Sequence, residues 1–189
     1  MIKEIFTTPI YKNKANVDCK KLETLAYEEK RKDPVGRKIS NNGYQTQALD
    51  FNKYKFLFDE ISKHATDYYK QFNIESNLTY ASAWINISNK GHFNKLHSHG
   101  NSIISGVFYI KTPKDSGKIV FDNPCPLIEY FYANENVKKF NTYNSTEWEF
   151  EPIEGEIIMF PSYLKHYVQT NETNKDRISL SFNFKKANL

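Results

Sequence analysis

Cysteine is scarce in this chain, which has only two among its 189 residues. Cys19 and Cys125 lack metal-type spacing and neither lies in a CxxC motif, so the sequence gives no support for a cysteine metal site or a structural disulfide. Long apolar runs are also missing, because no stretch approaches membrane-spanning length. The apolar run in "MIKEIFTTPIYK" is too short for a signal peptide. These absences predict a soluble, cytoplasmic protein without a membrane partner.

A strong excess of charge of one sign is likewise missing. The chain has 26 Lys and Arg against 22 Asp and Glu, and its net charge is only +4. The lysines are scattered among acidic residues and form no continuous basic stripe, so we expect no nucleic-acid partner. We find no internal repeat, low-complexity block or linker. The length is enough for one domain with a substantial core, and we therefore expect residues 1–189 to form a single domain.

The hydrophobic period changes near residue 75. Apolar residues at helical spacing predict helices over 16–32, with Asp18 at the start, and over 52–71, whereas residues 2–11 alternate and predict a strand. Beyond residue 75 a period of two, interrupted by turn signals, predicts strands at 78–88, 101–111, 117–121, 126–132, 146–151, 155–160, 164–169 and 176–185. Residues 1–75 would then contribute a strand and buttressing helices, and residues 76–187 a mainly β sandwich or jelly roll.

Two of the five histidines lie one residue apart in "NKLHSHGNSIISGVFYI". In an extended chain, side chains at i and i+2 point to the same face, so His97 and His99 can converge on one ion while Ser98 faces away. Imidazole is a common ligand for Fe, Zn, Cu and Ni. A third ligand must come from elsewhere, and His166 in "IIMFPSYLKHYV" is the best candidate. From these residues alone, a metal site and incidental surface histidines are both open.

The stretch "DRISLSFNF" adds a polar face to this pattern. Alternation places Arg177, Ser179, Ser181 and Asn183 on one side of the predicted last strand, eleven residues or more after His166. The planar fork of an arginine suits a carboxylate held by two hydrogen bonds, and the hydroxyl of Ser179 can add a third. A metal followed by Arg-x-Ser therefore predicts a site for a dicarboxylate that chelates the ion and pairs with Arg177.

Taken together, these segments resemble the Fe(II)/2-oxoglutarate-dependent oxygenases, especially the prolyl-hydroxylase-like branch and its compact, uncharacterised members. Those proteins carry H-x-D/E, a distant His and an Arg about ten residues further on. The likeness covers roughly residues 80–185. It implies a double-stranded β-helix, which is a jelly roll of cupin-like type, here with N-terminal helices. It also implies a dioxygenase that uses Fe(II) and 2-oxoglutarate to hydroxylate a small-molecule or peptide substrate, such as an amino-acid or prolyl side chain.

The resemblance further implies a role for individual residues. His97 and His166 would be iron ligands, and Arg177 would hold the far carboxylate of 2-oxoglutarate with help from Ser179. Tyr109 in "GVFYI" matches the position at which prolyl hydroxylases use a tyrosine hydroxyl for the same carboxylate. Packing in the core is an equally good explanation for that tyrosine.

The chain departs from the family pattern at His99, which stands where a carboxylate ligand is expected. Three neutral imidazoles leave Fe(II) with its full charge, which can favour Zn, Ni or another divalent metal. Two other arrangements are open, since His99 can point away from the ion or His92 can replace it. Asn86 in "AWINIS" is expected to line the pocket. We expect His97, His99 and His166 to be the metal ligands.

Two other classes of protein fit the same residues. One is a three-histidine, cupin-like metalloenzyme that does not use 2-oxoglutarate, and the other is a non-catalytic jelly-roll binding module. Arg177 distinguishes the leading class from the first alternative, because only a 2-oxoglutarate enzyme needs it. The sequence does not predict the substrate, the native metal or the oligomeric state.

Overall fold

The computed structural model describes residues 1–37, 43–125, 127–132 and 135–187. These residues form β-strands and helices in the following order: β1 (Tyr11–Lys14), α1 (Cys19–Lys32), β2 (Tyr44–Gln45), α2 (Lys55–Lys70), β3 (Leu78–Ser88), β4 (Asn94–His97), β5 (Ile104–Lys111), β6 (Ile119–Asp122), α3 (Ile128–Tyr132), β7 (Glu147–Phe150), β8 (Glu156–Pro161), β9 (His166–Val168) and β10 (Arg177–Lys186). Within these residues, no helix is long and apolar enough to cross a membrane.

The strands form two antiparallel sheets. The larger sheet has the order β1-β8-β5-β10-β3-β2, and the smaller has the order β4-β9-β6-β7. Most neighbours within a sheet are distant in sequence, so the chain crosses repeatedly from one sheet to the other. This is the double-stranded β-helix, or jelly roll, with helices added at the N-terminal side. The predicted fold class is therefore confirmed.

The larger sheet is apolar on one face, and this face packs against the two long helices. Strand β10 shows the pattern, since Ile178, Leu180, Phe182 and Phe184 join a core that also contains Leu22 of α1 and Ile61 of α2. Asp18 caps α1 by accepting a hydrogen bond from the Lys21 backbone N–H, as the sequence predicted. Each large apolar side chain in this core contributes about 1.5–3 kcal/mol through burial. The helices thus fix the outer face of the sheet.

The other face of the larger sheet looks toward the smaller one. A second apolar cluster lies between the sheets and contains Val107, Tyr109, Ile119, Phe121, Ile158, Phe160 and Leu164. Polar residues alternate with the helix-facing apolar residues along β3 and β10, and so they face the space between the sheets. This arrangement produces a polar cavity that is walled by two sheets.

Two predicted strands are wrong. Residues 2–10 form no strand, because the chain begins to pair with β8 only at Tyr11, and Ile2, Ile5 and Phe6 remain exposed. The segment predicted as a strand at 126–132 contains the short helix α3, because its backbone pairs locally: the Phe131 N–H donates to the Leu127 carbonyl at 3.2 Å, and α3 belongs to neither sheet. Residue 126 of the predicted strand 126–132 lies outside the described residues. The division of one domain at residue 75 stays a prediction.

Candidate metal centre

Three histidines come together at one end of strands β4 and β9 of the smaller sheet. His97 ends β4 and lies directly opposite His166 at the start of β9. His99 lies two residues beyond β4, where its backbone N–H donates to the Ser162 carbonyl at 2.9 Å. The ring centroids of His97 and His166 are 4.3 Å apart, and the His99 ring is 5.0 Å and 5.3 Å from them. One ligand nitrogen from each ring lies within 4.8 Å of the other two.

Backbone carbonyls orient two of these rings. The Nδ1 atom of His97 is 2.7 Å from the Lys95 carbonyl oxygen, and Nδ1 of His166 is 2.9 Å from that of Leu164. A carbonyl oxygen only accepts hydrogen bonds, so Nδ1 carries the proton in both rings and Nε2 keeps its lone pair. This is how metal-ligating histidines are commonly held, with the second nitrogen donating to a backbone oxygen.

The surroundings of His99 and His166 keep these two imidazoles neutral. Burial first, and then the neighbouring His97 and His99, lower the pKa of His166 to about 3, while the hydrogen bond with the Leu164 carbonyl acts in the opposite sense. Burial and then His97 lower the pKa of His99 to about 4. The neutral ring is the form that binds a metal. Three imidazoles with converging nitrogens fit a first-row divalent metal such as Fe(II), Ni(II) or Zn(II).

A cavity of about 640 Å³ opens beside the histidines. Its size is within the range of pockets that bind small organic ligands. All seven residues predicted for the site line it: His97, His99, His166, Arg177, Ser179, Tyr109 and Asn86. The structure therefore brings the predicted residues together, including Asn86 and Tyr109, the residue that core packing would explain equally well from the sequence.

Arg177 is a buried cation in this cavity. Its side chain is almost fully buried, with 4% of the residue exposed. One guanidinium nitrogen donates to the carbonyls of Ser116 at 2.7 Å and Gly117 at 3.0 Å, and the other is 3.4 Å from Oγ of Ser88. Burial lowers the pKa of Arg177, with Tyr109 acting in the opposite sense, but a guanidinium keeps its charge in proteins.

Among the described residues, no carboxylate forms an ion pair with Arg177. An unpaired charge in a protein interior costs a free energy on the order of several kcal/mol unless a partner neutralises it. The carboxylate of 2-oxoglutarate is such a partner, because it pairs with a guanidinium through two charge-assisted hydrogen bonds. The chain thus fits this cosubstrate as well as the metal.

A row of residues on adjacent strands continues the site away from Arg177. Ser179 pairs with Tyr109 of β5 on one side and with Asn86 of β3 on the other. The Asn86 amide donates to Ser181 at 3.0 Å and to Ser179 at 3.5 Å. The Tyr109 residue is 4% exposed, and burial raises the pKa of its hydroxyl. These groups offer neutral hydrogen-bond donors along the cavity wall.

Sequence reasoning missed two parts of the site. Trp84 donates its indole N–H to Asn86 at 3.2 Å, and its ring centroid is 6.2 Å from that of His99. The period-two pattern of β3 places Trp84 on the same face as Asn86 and was the available signal. The second part is the turn that supplies the Ser116 and Gly117 carbonyls to Arg177, for which the turn sequence gave no functional signal.

His92 does not join the metal cluster. The Asn89 backbone N–H donates to Nδ1 of His92 at 2.9 Å, which makes this histidine part of the turn between β3 and β4. His99 lies with the other two rings rather than pointing away. Of the three arrangements left open by the sequence, the structure therefore contains the one with His97, His99 and His166 together.

Comparisons with known proteins agree with this site. The family model described as "Putative 2OG-Fe(II) oxygenase" matches residues 82–183, which include all seven predicted site residues. No curated protein matches the chain. Several solved structures share its fold at low sequence identity.

Three of these structures illustrate the range. A prolyl-4-hydroxylase from Pseudomonas putida is 16% identical with a TM-score of 0.62, and the match covers 96% of this chain and 95% of that one. The viral collagen prolyl hydroxylase of Paramecium Bursaria Chlorella virus-1, solved as a 2-oxoglutarate complex, is 13% identical with a TM-score of 0.63 and coverages of 95% and 96%. HygX from Streptomyces hygroscopicus, solved with nickel and 2-oxoglutarate, is 12% identical with a TM-score of 0.59 and coverages of 95% and 83%.

These likenesses show the fold, and the family model shows the class of enzyme. More than half of the chain matches that model, which spans the strands from β3 to β10. The chain belongs to the 2OG-Fe(II) oxygenase family, and it is an enzyme that depends on Fe(II) and 2-oxoglutarate.

Proposed function

We propose that His97, His99 and His166 hold the Fe(II) and that Arg177 binds the far carboxylate of 2-oxoglutarate. One observation carries this assignment: a buried guanidinium without a carboxylate partner among the described residues lines the same cavity as three converging imidazoles. The enzyme then hydroxylates a C–H bond of a substrate that enters this cavity. Nothing observed favours a three-histidine enzyme that ignores 2-oxoglutarate or a non-catalytic module.

In this reaction Fe(II), when bound with 2-oxoglutarate, supplies the chemistry by which O₂ oxidises the substrate as 2-oxoglutarate is converted to succinate and CO₂. The protein's own part is to hold and orient. The carbonyls of Lys95 and Leu164 keep Nδ1 of His97 and His166 protonated, so that both rings offer Nε2. The carbonyls of Ser116 and Gly117 hold the Arg177 guanidinium in place before a carboxylate arrives.

Ser179 and Tyr109 complete the proposed carboxylate site. They are cross-strand neighbours on the cavity wall, and both carry hydroxyl groups that can donate to a carboxylate oxygen. Asn86 is proposed to position Ser179, since its amide donates toward the Ser179 hydroxyl. The apolar ring of Phe160, whose centroid is 4.6 Å from that of His166, helps to exclude water from the metal side.

His99 in place of a carboxylate has a consequence for the metal. A carboxylate ligand would cancel one charge of Fe(II), and a neutral imidazole does not. The site is therefore expected to accept Ni(II) and Zn(II) as well, with Fe(II) as the active metal. A charged cosubstrate should bind more strongly to a centre that keeps its full dipositive charge.

The substrate is proposed to be a small molecule or a peptide, with an amino-acid side chain such as proline as the reacting group. Support comes from the sequence resemblance and from two structural neighbours that are prolyl hydroxylases. These neighbours share at most 16% identity with the chain, so the substrate class is carried by analogy. A cytoplasmic location is part of the same proposal and rests on the sequence alone.

Anaerobic titration of the Fe(II) protein with 2-oxoglutarate tests the assignment. We expect a visible metal-to-ligand charge-transfer band in the wild type and none in His97→Ala or His166→Ala. His92→Ala is the matched control, because it removes a histidine of the neighbouring turn that is outside the cluster, and it should keep the band. A band of full intensity in both cluster variants, or no band in the wild type, would contradict the assignment.

A further inference from the structure

Among the described residues, the cavity is lined by cations and by no acid. Besides Arg177, the residues Arg37 and Lys95 line it. The chain contains 22 Asp and Glu residues, yet none of them lines the cavity in the part of the chain that the structure describes. The three residues proposed as metal ligands are histidines rather than carboxylates, so they add no negative charge to the cavity. The electrostatic potential of the cavity is therefore positive before any metal binds, which favours anionic ligands.

Arg37 occupies the far end of the row of residues that forms the cosubstrate wall. It pairs with Gln45 in an isolated bridge, Gln45 pairs with Asn86, and Asn86 pairs with Ser179. Directly opposed residues share one face of a sheet. Strands are spaced by roughly 4.8 Å, so three steps place the Arg37 backbone about 14 Å from that of Ser179. A carboxylate that is bound by Ser179 and Arg177 therefore lies too far from Arg37 to form its ion pair.

Lys95 comes to the cavity from the opposite sheet. It lies in β4, two residues before His97, and its own carbonyl holds the His97 ring. Lys95 is exposed and Arg37 is half-buried. Neither side chain forms an ion pair or a side-chain hydrogen bond with any described residue. Two cations from two sheets thus line one cavity, and no described residue supplies a counterion to either of them.

We propose that Arg37 and Lys95 bind a carboxylate of the primary substrate, so that this enzyme acts on an acidic substrate. The inference rests on the proposed function, because it assigns Arg177 to 2-oxoglutarate and leaves the other two cations for a second anion. A volume of about 640 Å³ has room for two small ligands at once. The carboxylate belongs to a free organic acid or to an Asp or Glu side chain of a peptide. In both cases recognition is by charge-assisted hydrogen bonds.

Binding measurements on the whole protein test this proposal. The probes are acetate, propionate and capped tripeptides with a central Glu or Asp, and each is paired with the neutral amide of the same carboxylate. Ligand-observed NMR would compare them at millimolar concentration, with Ni(II) and 2-oxoglutarate present and again with neither. We expect at least one acid to bind the wild type, and its amide to bind about tenfold more weakly or not at all. Binding of free acids alone or of peptides alone identifies the source of the carboxylate.

The variants are Arg37→Gln and Lys95→Gln, with Arg31→Gln and Lys14→Gln as controls for the same charge changes on the exposed surface. Each cavity variant should weaken binding of the acid by about tenfold and leave the affinity for 2-oxoglutarate unchanged. The control variants should bind like the wild type. The proposal is overturned if no acid binds, if amides bind as well as acids, or if both cavity variants keep wild-type affinity.

Failure of the proposed function has a different signature. If the protein binds neither metal nor 2-oxoglutarate, the assignment of His97 and Arg177 is wrong. The NMR measurement with neither Ni(II) nor 2-oxoglutarate present still shows whether an acid binds and whether its binding depends on Arg37. Melting temperatures of all four variants within a few degrees of the wild type would show that the cavity variants are folded.

Discussion

Replacement of Arg177 by methionine is the sharpest perturbation of the cosubstrate site. Methionine keeps much of the volume and removes the charge, so the metal ligands stay in place. Removal of one partner of a buried, hydrogen-bonded charge pair costs about 2–5 kcal/mol of binding free energy. That loss corresponds to a dissociation constant for 2-oxoglutarate that is raised roughly 30-fold to several thousand-fold. We expect Arg177→Met to fall in this range while its affinity for Fe(II) remains within about threefold of the wild type.

The stability of the variant should change much less than its affinity. Two carbonyl oxygens, those of Ser116 and Gly117, lose a donor, and each such loss costs about 1–3 kcal/mol when the group is buried. The variant also lacks the unpaired buried charge, which removes a desolvation cost on the order of several kcal/mol. The two effects oppose each other. We expect the free energy of unfolding of the metal-free protein to change by less than about 2 kcal/mol.

Anaerobic isothermal titration calorimetry measures both affinities, and urea unfolding of the metal-free protein measures stability. Exposed Arg31→Met is the matched control and should behave as the wild type in both assays. A folded Arg177→Met protein that binds 2-oxoglutarate within threefold of the wild type would refute the role given to this guanidinium. An equal loss of metal affinity would instead show that Arg177 acts by holding the metal site together.

Three other predictions concern the same cavity. The pKa values of His99 and His166 lie at about 4 and about 3 in the folded protein, against roughly 6.5 in an unfolded chain, so the unfolded state binds more protons below that value. The free energy of unfolding of the metal-free protein should therefore fall by about 2 kcal/mol for each histidine as pH drops from 7 to near 5. Urea unfolding of His166→Gln should show a smaller dependence of this free energy on pH. The same pH dependence in the variant and the wild type would contradict the prediction. Gly117 has φ of +92° and a Cβ there would lie 2.9 Å from the Arg177 guanidinium and against the Gln169 carbonyl, so Gly117→Ala should lower the unfolding free energy by about 1–3 kcal/mol. It should also weaken 2-oxoglutarate binding in calorimetry, and wild-type stability with wild-type affinity would argue against this role of the turn. Ser179→Ala removes one hydroxyl and should raise the dissociation constant for 2-oxoglutarate about fivefold to tenfold, with no change if the hydroxyl makes no contact.

Local periodicity predicted much of the fold. Strands β3 and β10 match the predicted spans 78–88 and 176–185 closely, because apolar and polar residues alternate along both. The segment at 126–132 was predicted wrongly, since aromatic residues favour strands only where a neighbouring strand is available to pair with. The strand predicted at 2–11 failed for a similar reason, because its pairing with β8 starts at Tyr11.

The candidate site was predictable where its geometry is local. The spacing of His97 and His99 places both rings on one side of the chain, and the alternation in β10 places Ser179 beside the cavity. The pairing of His97 with His166 depends on the register of β4 and β9, which periodicity does not give. The carbonyls that hold Arg177 come from a turn about 60 residues away, and backbone groups leave no sign in the sequence.

The most direct test of the central assignment is an anaerobic crystal structure of the protein with Fe(II) and 2-oxoglutarate, with the metal located by its anomalous scattering. The account predicts one iron bound by Nε2 of His97 and His166 and by a ring nitrogen of His99, with the far carboxylate of 2-oxoglutarate against the Arg177 guanidinium. An iron that is bound elsewhere, or a 2-oxoglutarate carboxylate that makes no contact with Arg177, would contradict it.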